Sequence, residues 1–343
     1  MSQQSVSTTL RSTRKKGWWF YMRRIGLSVV VLVALLAAIG AVYESIAARR
    51  DMGILKPSGR LVDMGGYKLH LYCTGFSNPP DITVVLESGL SSTTSSWARI
   101  QADLASSVRV CSYDRGGIGW SDPTERPRDG KGISGELHEL LLRANINGTL
   151  VLVGHSSGGL YARAFQAEYP ERVAALTLID SSHEDQFTRT TDGGSYFKTL
   201  RGAYSVLPLA ARLGVVRLSP LCNLPELPPD ARSAFHAACS RSSSWVAGRS
   251  ELESLQAAMQ QVRGKTLGSL PLVVLTAGRD PQNPANWGEL QNELAALSMR
   301  TTHIVRPNAT HPGLLLNPED ARQCVVAILD VVKAVRQTST KGI

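Results

Sequence analysis

Past residue 60, short apolar runs alternate with stretches of helical spacing. Residues 60–64 and 68–74 are two strand-like runs around Gly65-Gly66, the pattern of a hairpin. Strands are then predicted over 82–86, 108–113, 150–153 and 173–179, and helices over 97–104, 133–144 and 157–169, the last stopped by Pro170. Strands feeding helices in this rhythm build an α/β fold, a mostly parallel sheet with helices on both faces. From His183 to about Leu267 the rhythm breaks: the pattern turns helical and Pro-rich, and is read as a cap over the sheet. An apolar β-run returns over 270–276, followed by a helix near 287–297, a strand over 300–305 and an amphipathic helix over 318–335.

The N-terminus follows other rules. No charged residue occurs from Ile25 to Val42, and as a helix this run is about 27 Å long, close to the thickness of a bilayer core. Trp18, Trp19, Phe20 and Tyr21 precede it, as aromatic side chains do at a headgroup boundary. A transmembrane anchor is expected, with a cleaved signal peptide as the alternative because Ser45 and Ala47 form a small-x-small site. The expected organisation is a basic tail (1–24), an anchor (25–42), a linker (43–59), a first core part (60–182), a helical cap (183–268) and a second core part (269–338).

Charge sharpens this division. The chain of 343 residues carries +9, but its first 60 residues hold ten Lys and Arg against Glu44 and Asp51, a net +8. The globular part is nearly neutral, so no nucleic-acid partner is expected for it. Six of those basic residues precede the apolar run and four follow it, which favours a cytoplasmic N-terminus and an extracytoplasmic domain. Cys222 and Cys239 lie close enough to staple a loop, or are two small buried residues. Cys73, Cys111 and Cys324 fall in apolar patterns and are read as packing residues. No close Cys/His spacing suggests a metal, and no cofactor is expected.

The strongest chemical signal is Gly154-His155-Ser156-Ser157-Gly158, directly after one strand and before a helix. A sharp strand-to-helix turn exposes a serine hydroxyl, and glycines two residues either side let the backbone make it. Serine is a weak nucleophile at neutral pH and needs a base. Among seven histidines, His311 lies in a loop past the last strand, at the edge where Ser156 emerges. His155 sits inside the turn and is expected to point elsewhere; His70 and His303 fall within strands. A carboxylate must fix the imidazole's tautomer. Asp280, just past the 270–276 strand, is the first choice, and Asp180, at the end of the strand before the cap, the alternative. The backbone N–H groups of Ser157 and Leu90 are the expected oxyanion donors.

With Glu87-Ser88-Gly89-Leu90, the loop from Tyr113 to Asp122, the serine turn and the His311 loop, the chain resembles the α/β-hydrolase superfamily from about residue 60 to 335. The resemblance implies eight strands, mostly parallel, with the cap between the sixth and seventh. It also implies a chiefly structural role for the loop from Asp114 to Asp122. Many members carry histidine before the oxyanion-loop glycine, where this chain has Ser88. The expected activity is hydrolysis of a carboxylic ester, with thioester or amide as variants, through an acyl-enzyme on Ser156. The expected partners are an apolar small-molecule ester and the bilayer around residues 25–42. The competing reading is a membrane-tethered binding protein that keeps the fold without turnover.

Overall fold

The computed structural model describes residues 10–76, 82–279 and 286–341. Helix α1 (Leu10–Ile54) joins the expected anchor and most of the expected linker in one piece, and five residues lead from it into the sheet. The hairpin β1 (Arg60–Asp63) and β2 (Lys68–Thr74) opens the fold. It is followed by β3 (Ile82–Glu87), α2 (Ala98–Leu104), β4 (Arg109–Asp114), α3 (Gly130–Arg143), β5 (Thr149–His155), α4 (Ser157–Glu168) and β6 (Val173–Ile179). The cap comprises α5 (Gln186–Arg189), α6 (Gly193–Arg212), α7 (Val215–Leu218), α8 (Pro229–Ser240) and α9 (Ser242–Val262). The core closes with β7 (Leu272–Ala277), α10 (Trp287–Ala295), β8 (Thr301–Arg306), α11 (Gly313–Leu316) and α12 (Pro318–Lys341).

The eight strands form one sheet in the order β1-β2-β4-β3-β5-β6-β7-β8. The β1/β2 and β2/β4 pairs are antiparallel and the remaining pairs parallel. Central strands are buried almost throughout and mostly apolar because both faces are covered. Ile82, Val84, Leu86, Val151 and Val153 pack towards α2 and α12, while their neighbours Val85, Leu150 and Leu152 pack towards α3, α4 and α10. That is the period-two alternation of a strand. Cap helices form their own core around Tyr204, Trp245, Leu252 and Met259, joined to Leu160 and Ala164 of α4.

Two departures from the sequence reading concern cysteine and the anchor. Cys73 and Cys111 are not simple packing residues: they face each other across β2 and β4 and form a disulfide. Cys222 and Cys239 form a second within the cap. Cys324 is a buried thiol, and burial pushes its pKa up to about 12. Helix α1 does not stand apart from the domain. Its half-buried and buried positions, Ala37, Gly40, Ala41, Glu44, Ala47, Ala48 and Asp51, follow helical spacing and form one docked stripe. Gly40 lies against the Leu213 carbonyl, too close for any side-chain carbon. Arg217 of α7 binds Glu44 through Nε and Nη2 at 2.7 and 3.0 Å and Asp51 through Nη1 at 2.7 Å.

Candidate active site

The turn between β5 and α4 holds Ser156 at φ 57° and ψ −129°, a left-handed backbone that a non-glycine residue adopts only under constraint. The constraint is visible. A side-chain carbon at Gly154 would stand 2.6 Å from the Gly158 carbonyl carbon, and one at Gly158 would collide with the Glu87 carbonyl oxygen. Ser156 N–H donates to the Ile179 carbonyl at 3.2 Å, and its own carbonyl accepts from Gly159 and Ser182. Ser157 opens α4, where the first N–H groups lack intrahelical acceptors and the helix dipole favours negative charge.

Ser156 and His311 line the same cavity of about 400 Å³, together with Gly89, Leu90, His155 and Ser157. The His311 ring donates from Nδ1 to Asp180 Oδ2 at 2.6 Å. Asp180 follows β6 immediately, is fully buried and has φ 41°. Its other oxygen accepts from Ala277 N–H at 3.1 Å and Trp287 Nε1 at 2.9 Å. Three donors hold this carboxylate in position. The residue placed against His311 Nδ1 is therefore Asp180, the alternative in the sequence reading. Asp280, the first choice there, lies outside the described residues.

His155 does more than sequence reasoning allowed. Its Nε2 donates to the His311 carbonyl at 3.1 Å, and the two rings pack with centroids 4.4 Å apart. Burial, aided by the neighbouring His311, keeps the His155 pKa well below the ordinary histidine value, so it is a neutral brace for the loop. Its position inside the serine turn was the signal: a turn residue at a sheet edge faces whatever the last loop brings.

Leu90 belongs to a loop supported from beneath. Arg115 donates to the Ser88 and Gly89 carbonyls, each at 2.7 Å, and to Glu87 at 2.8 Å. Its Nε also donates to Glu251 of α9 at 2.7 Å, and Glu251 accepts from Ser91 N–H at 3.4 Å. Burial alone would lower the Arg115 pKa, but Glu251 and Glu87 outweigh it and hold the guanidinium firmly charged. Trp97 Nε1 donates to Ser88 Oγ at 2.9 Å, so Ser88 is hydrogen-bonded where many α/β-hydrolases carry histidine. Among the described residues no group of three His, Cys, Asp or Glu is placed to hold a metal.

Comparison with known proteins agrees with this architecture. Residues 82–205 match the family model for the alpha/beta hydrolase fold. An uncharacterized protein of Schizosaccharomyces pombe is 27% identical over 214 residues, covering 61% of this chain and 38% of its own length. The chain thus spans well under half of that relative. A thermophilic esterase from Thermogutta terrifontis superposes with a TM-score of 0.57 at 21% identity, over 81% of this chain and 98% of the esterase. A membrane phospholipase A, described as a bacterial virulence factor, gives a TM-score of 0.59 at 20% identity, over 91% of this chain and 99% of its own.

Proposed function

By fold and by family signature the chain is an α/β-hydrolase, and we propose that it is a serine hydrolase of carboxylic esters with Ser156 as nucleophile, His311 as base and Asp180 as the orienting carboxylate. The observation that carries this reading is the 2.6 Å bond from His311 Nδ1 to a buried Asp180, in the cavity that Ser156 also lines. With Nδ1 donating to Asp180, the base role falls to Nε2. Ser156 Oγ attacks the ester carbonyl as its proton passes to His311, and the developing oxyanion meets the N–H groups of Ser157 and Leu90. Collapse expels the alkoxide, which takes the proton from the imidazolium. Water, deprotonated by the same histidine, then splits the acyl-enzyme and releases the acid.

The cavity walls are apolar and aromatic, with Phe187, Leu200, Tyr204, Phe235 and Trp245 among them, which suits an apolar acyl or alcohol group. The esterase and the phospholipase A with the same fold carry activities of this class by their descriptions.

We further propose that α1 is retained as an anchor rather than cleaved. Its segment Trp18–Ile54 contains a stretch apolar enough to cross a membrane. Cleavage after Ala47 would strip most of the docked stripe of α1, and with it the Arg217–Glu44 ion pair and the contact of Gly40 with Leu213. Two disulfides beyond the anchor suit an oxidising, extracytoplasmic compartment. A fluorophosphonate probe is expected to label the full chain and not Ser156→Ala, and His311→Ala to lose ester turnover by several orders of magnitude. Equal labelling of wild type and Ser156→Ala removes Ser156 as nucleophile.

A further inference from the structure

We infer that the cap seats directly on the bilayer, through an apolar face beside the anchor, and that the cavity takes its acyl chain from the membrane rather than from water. This rests on the ester-hydrolase reading above and on retention of α1.

The first ground is depth. The uncharged run ends at Val42, but the docked stripe of α1 begins at Ala37. At about 1.5 Å per residue the two overlap by about 8 Å. Gly40, inside the run, meets the backbone of Leu213, and a side-chain carbon at Gly214 would lie 3.2 Å from both the Gly40 carbonyl oxygen and the Tyr43 ring. When the run spans the hydrocarbon, the C-terminal end of α6 is therefore at the boundary of the hydrocarbon, the depth at which interfacial helices bury their apolar faces.

The second ground is what the cap exposes there. Val206 and Leu209 lie seven and four positions before Leu213, on the same side of α6, and are 61% and 59% exposed. Val215 and Leu218 follow on α7, with Leu218 75% exposed. In water such a group of bare aliphatic side chains is unfavourable, and lipid removes it from water. Arg217, between them, is the residue clamped to Glu44 and Asp51, so this face is continuous with the anchor interface. Arg49 and Arg50, exposed about two turns beyond Val42, are at headgroup height.

The third ground is the cavity's position. Leu221, half exposed and three residues from Leu218, lines the catalytic cavity together with Leu224. The apolar wall thus runs from the site to the same side as the anchor. A chain still held in lipid can enter along Leu221 while its ester reaches Ser156, which assigns the substrate class as long-chain acyl esters resident in the bilayer.

The test uses the full chain in phosphatidylcholine vesicles. A nitroxide at Leu209→Cys is expected to collide more with oxygen than with a water-soluble nickel chelate, and one at Val305→Cys, exposed on β8, to show the reverse. Nickel access at 209 equal to that at 305 overturns the proposal. Protection from both reagents that depends on protein density also overturns it, in favour of a second copy on this face. The double variant Leu209→Ser/Leu218→Ser is expected to keep turnover of a short soluble ester and to lose roughly tenfold on a long-chain acylglycerol in the vesicles. Unchanged long-chain turnover overturns the proposal. Absence of wild-type turnover on both esters would sink the hydrolase reading alone, because the collision measurement decides the seat of the cap without catalysis.

Discussion

Arg115 Nη2 donates to the carbonyl oxygen of Gly89 at 2.7 Å. In a trans peptide the C=O and the following N–H point in opposite directions, so pinning the Gly89 carbonyl towards Arg115 aims the Leu90 N–H away from it. Gly89 itself abuts the serine, since a side-chain carbon there would stand 3.1 Å from Ser156 Cβ. Arg115 in this way positions the proposed oxyanion donor. Arg115→Lys keeps the charge between Glu87 and Glu251 but cannot reach both carbonyls. The variant is expected to lose roughly 10²-fold in kcat with KM little changed and circular dichroism intact. A KM effect with normal kcat would assign Arg115 to substrate binding instead.

The two aspartates make opposite predictions. Asp180→Asn leaves the geometry around His311 but removes the charge that stabilises the imidazolium, and kcat is expected to fall by about 10³ to 10⁴. Asp280→Asn is expected to stay within about tenfold of wild type. Steady-state kinetics on one soluble ester decides between them, and a larger loss at 280 returns the orienting role to that residue.

His70 gives the fold a pH dependence with a definite sign. Burial lowers its pKa, but the 2.8 Å bond to Asp114, the charge of that carboxylate and the Ser58 carbonyl more than compensate, so the folded-state value is raised above the ordinary 6.5. The folded chain holds this proton more tightly than the unfolded one. Its stabilisation is complete below about 6.5 and lost as pH rises through the folded-state value. Denaturant unfolding is expected to show stability declining over that interval in the wild type, and a flatter profile in His70→Gln. Parallel profiles would mean another group titrates.

The cap disulfide closes a sequence separation of 17 residues, and Leu221 and Cys239 both line the cavity. Chain-entropy arguments give such a loop about 3 kcal/mol. Cys222→Ser/Cys239→Ser is expected to lose stability of that order in chemical denaturation. A wild type whose denaturation is indifferent to reductant would show that the bond does not form.

Much of the core was legible because parallel strands buried on both faces read as continuous apolar runs, and each predicted strand matches one observed. That Ser156 and His311 line one cavity was legible for a related reason: a glycine-flanked serine and a loop histidine both fall at strand ends. The carboxylate bonded to His311 was not. Asp180 and Asp280 follow adjacent strands of the sheet, β6 and β7, and spacing alone cannot say which side chain turns inward; the left-handed backbone at Asp180, fixed by its N–H bond to Leu275 O, settles its direction. Cys73 and Cys111 were misread because strand periodicity reports a face but not the register across it. The docking of α1 was hidden for the same kind of reason, since Gly40 and Ala37 look like ordinary members of an apolar run until Leu213 is placed beside them.

The order of the sheet sets when the proposed site can assemble. The Gly89 loop follows β3, the serine turn β5, Asp180 β6 and the His311 loop β8, and β3 reaches β8 only through the pairs between them. Each piece of the proposed site hangs from a different link of that series, and the last follows β8. On the proposed mechanism, a polypeptide lacking β8 would lack His311 beside the serine turn, so ester turnover is expected only once β8 has paired with β7.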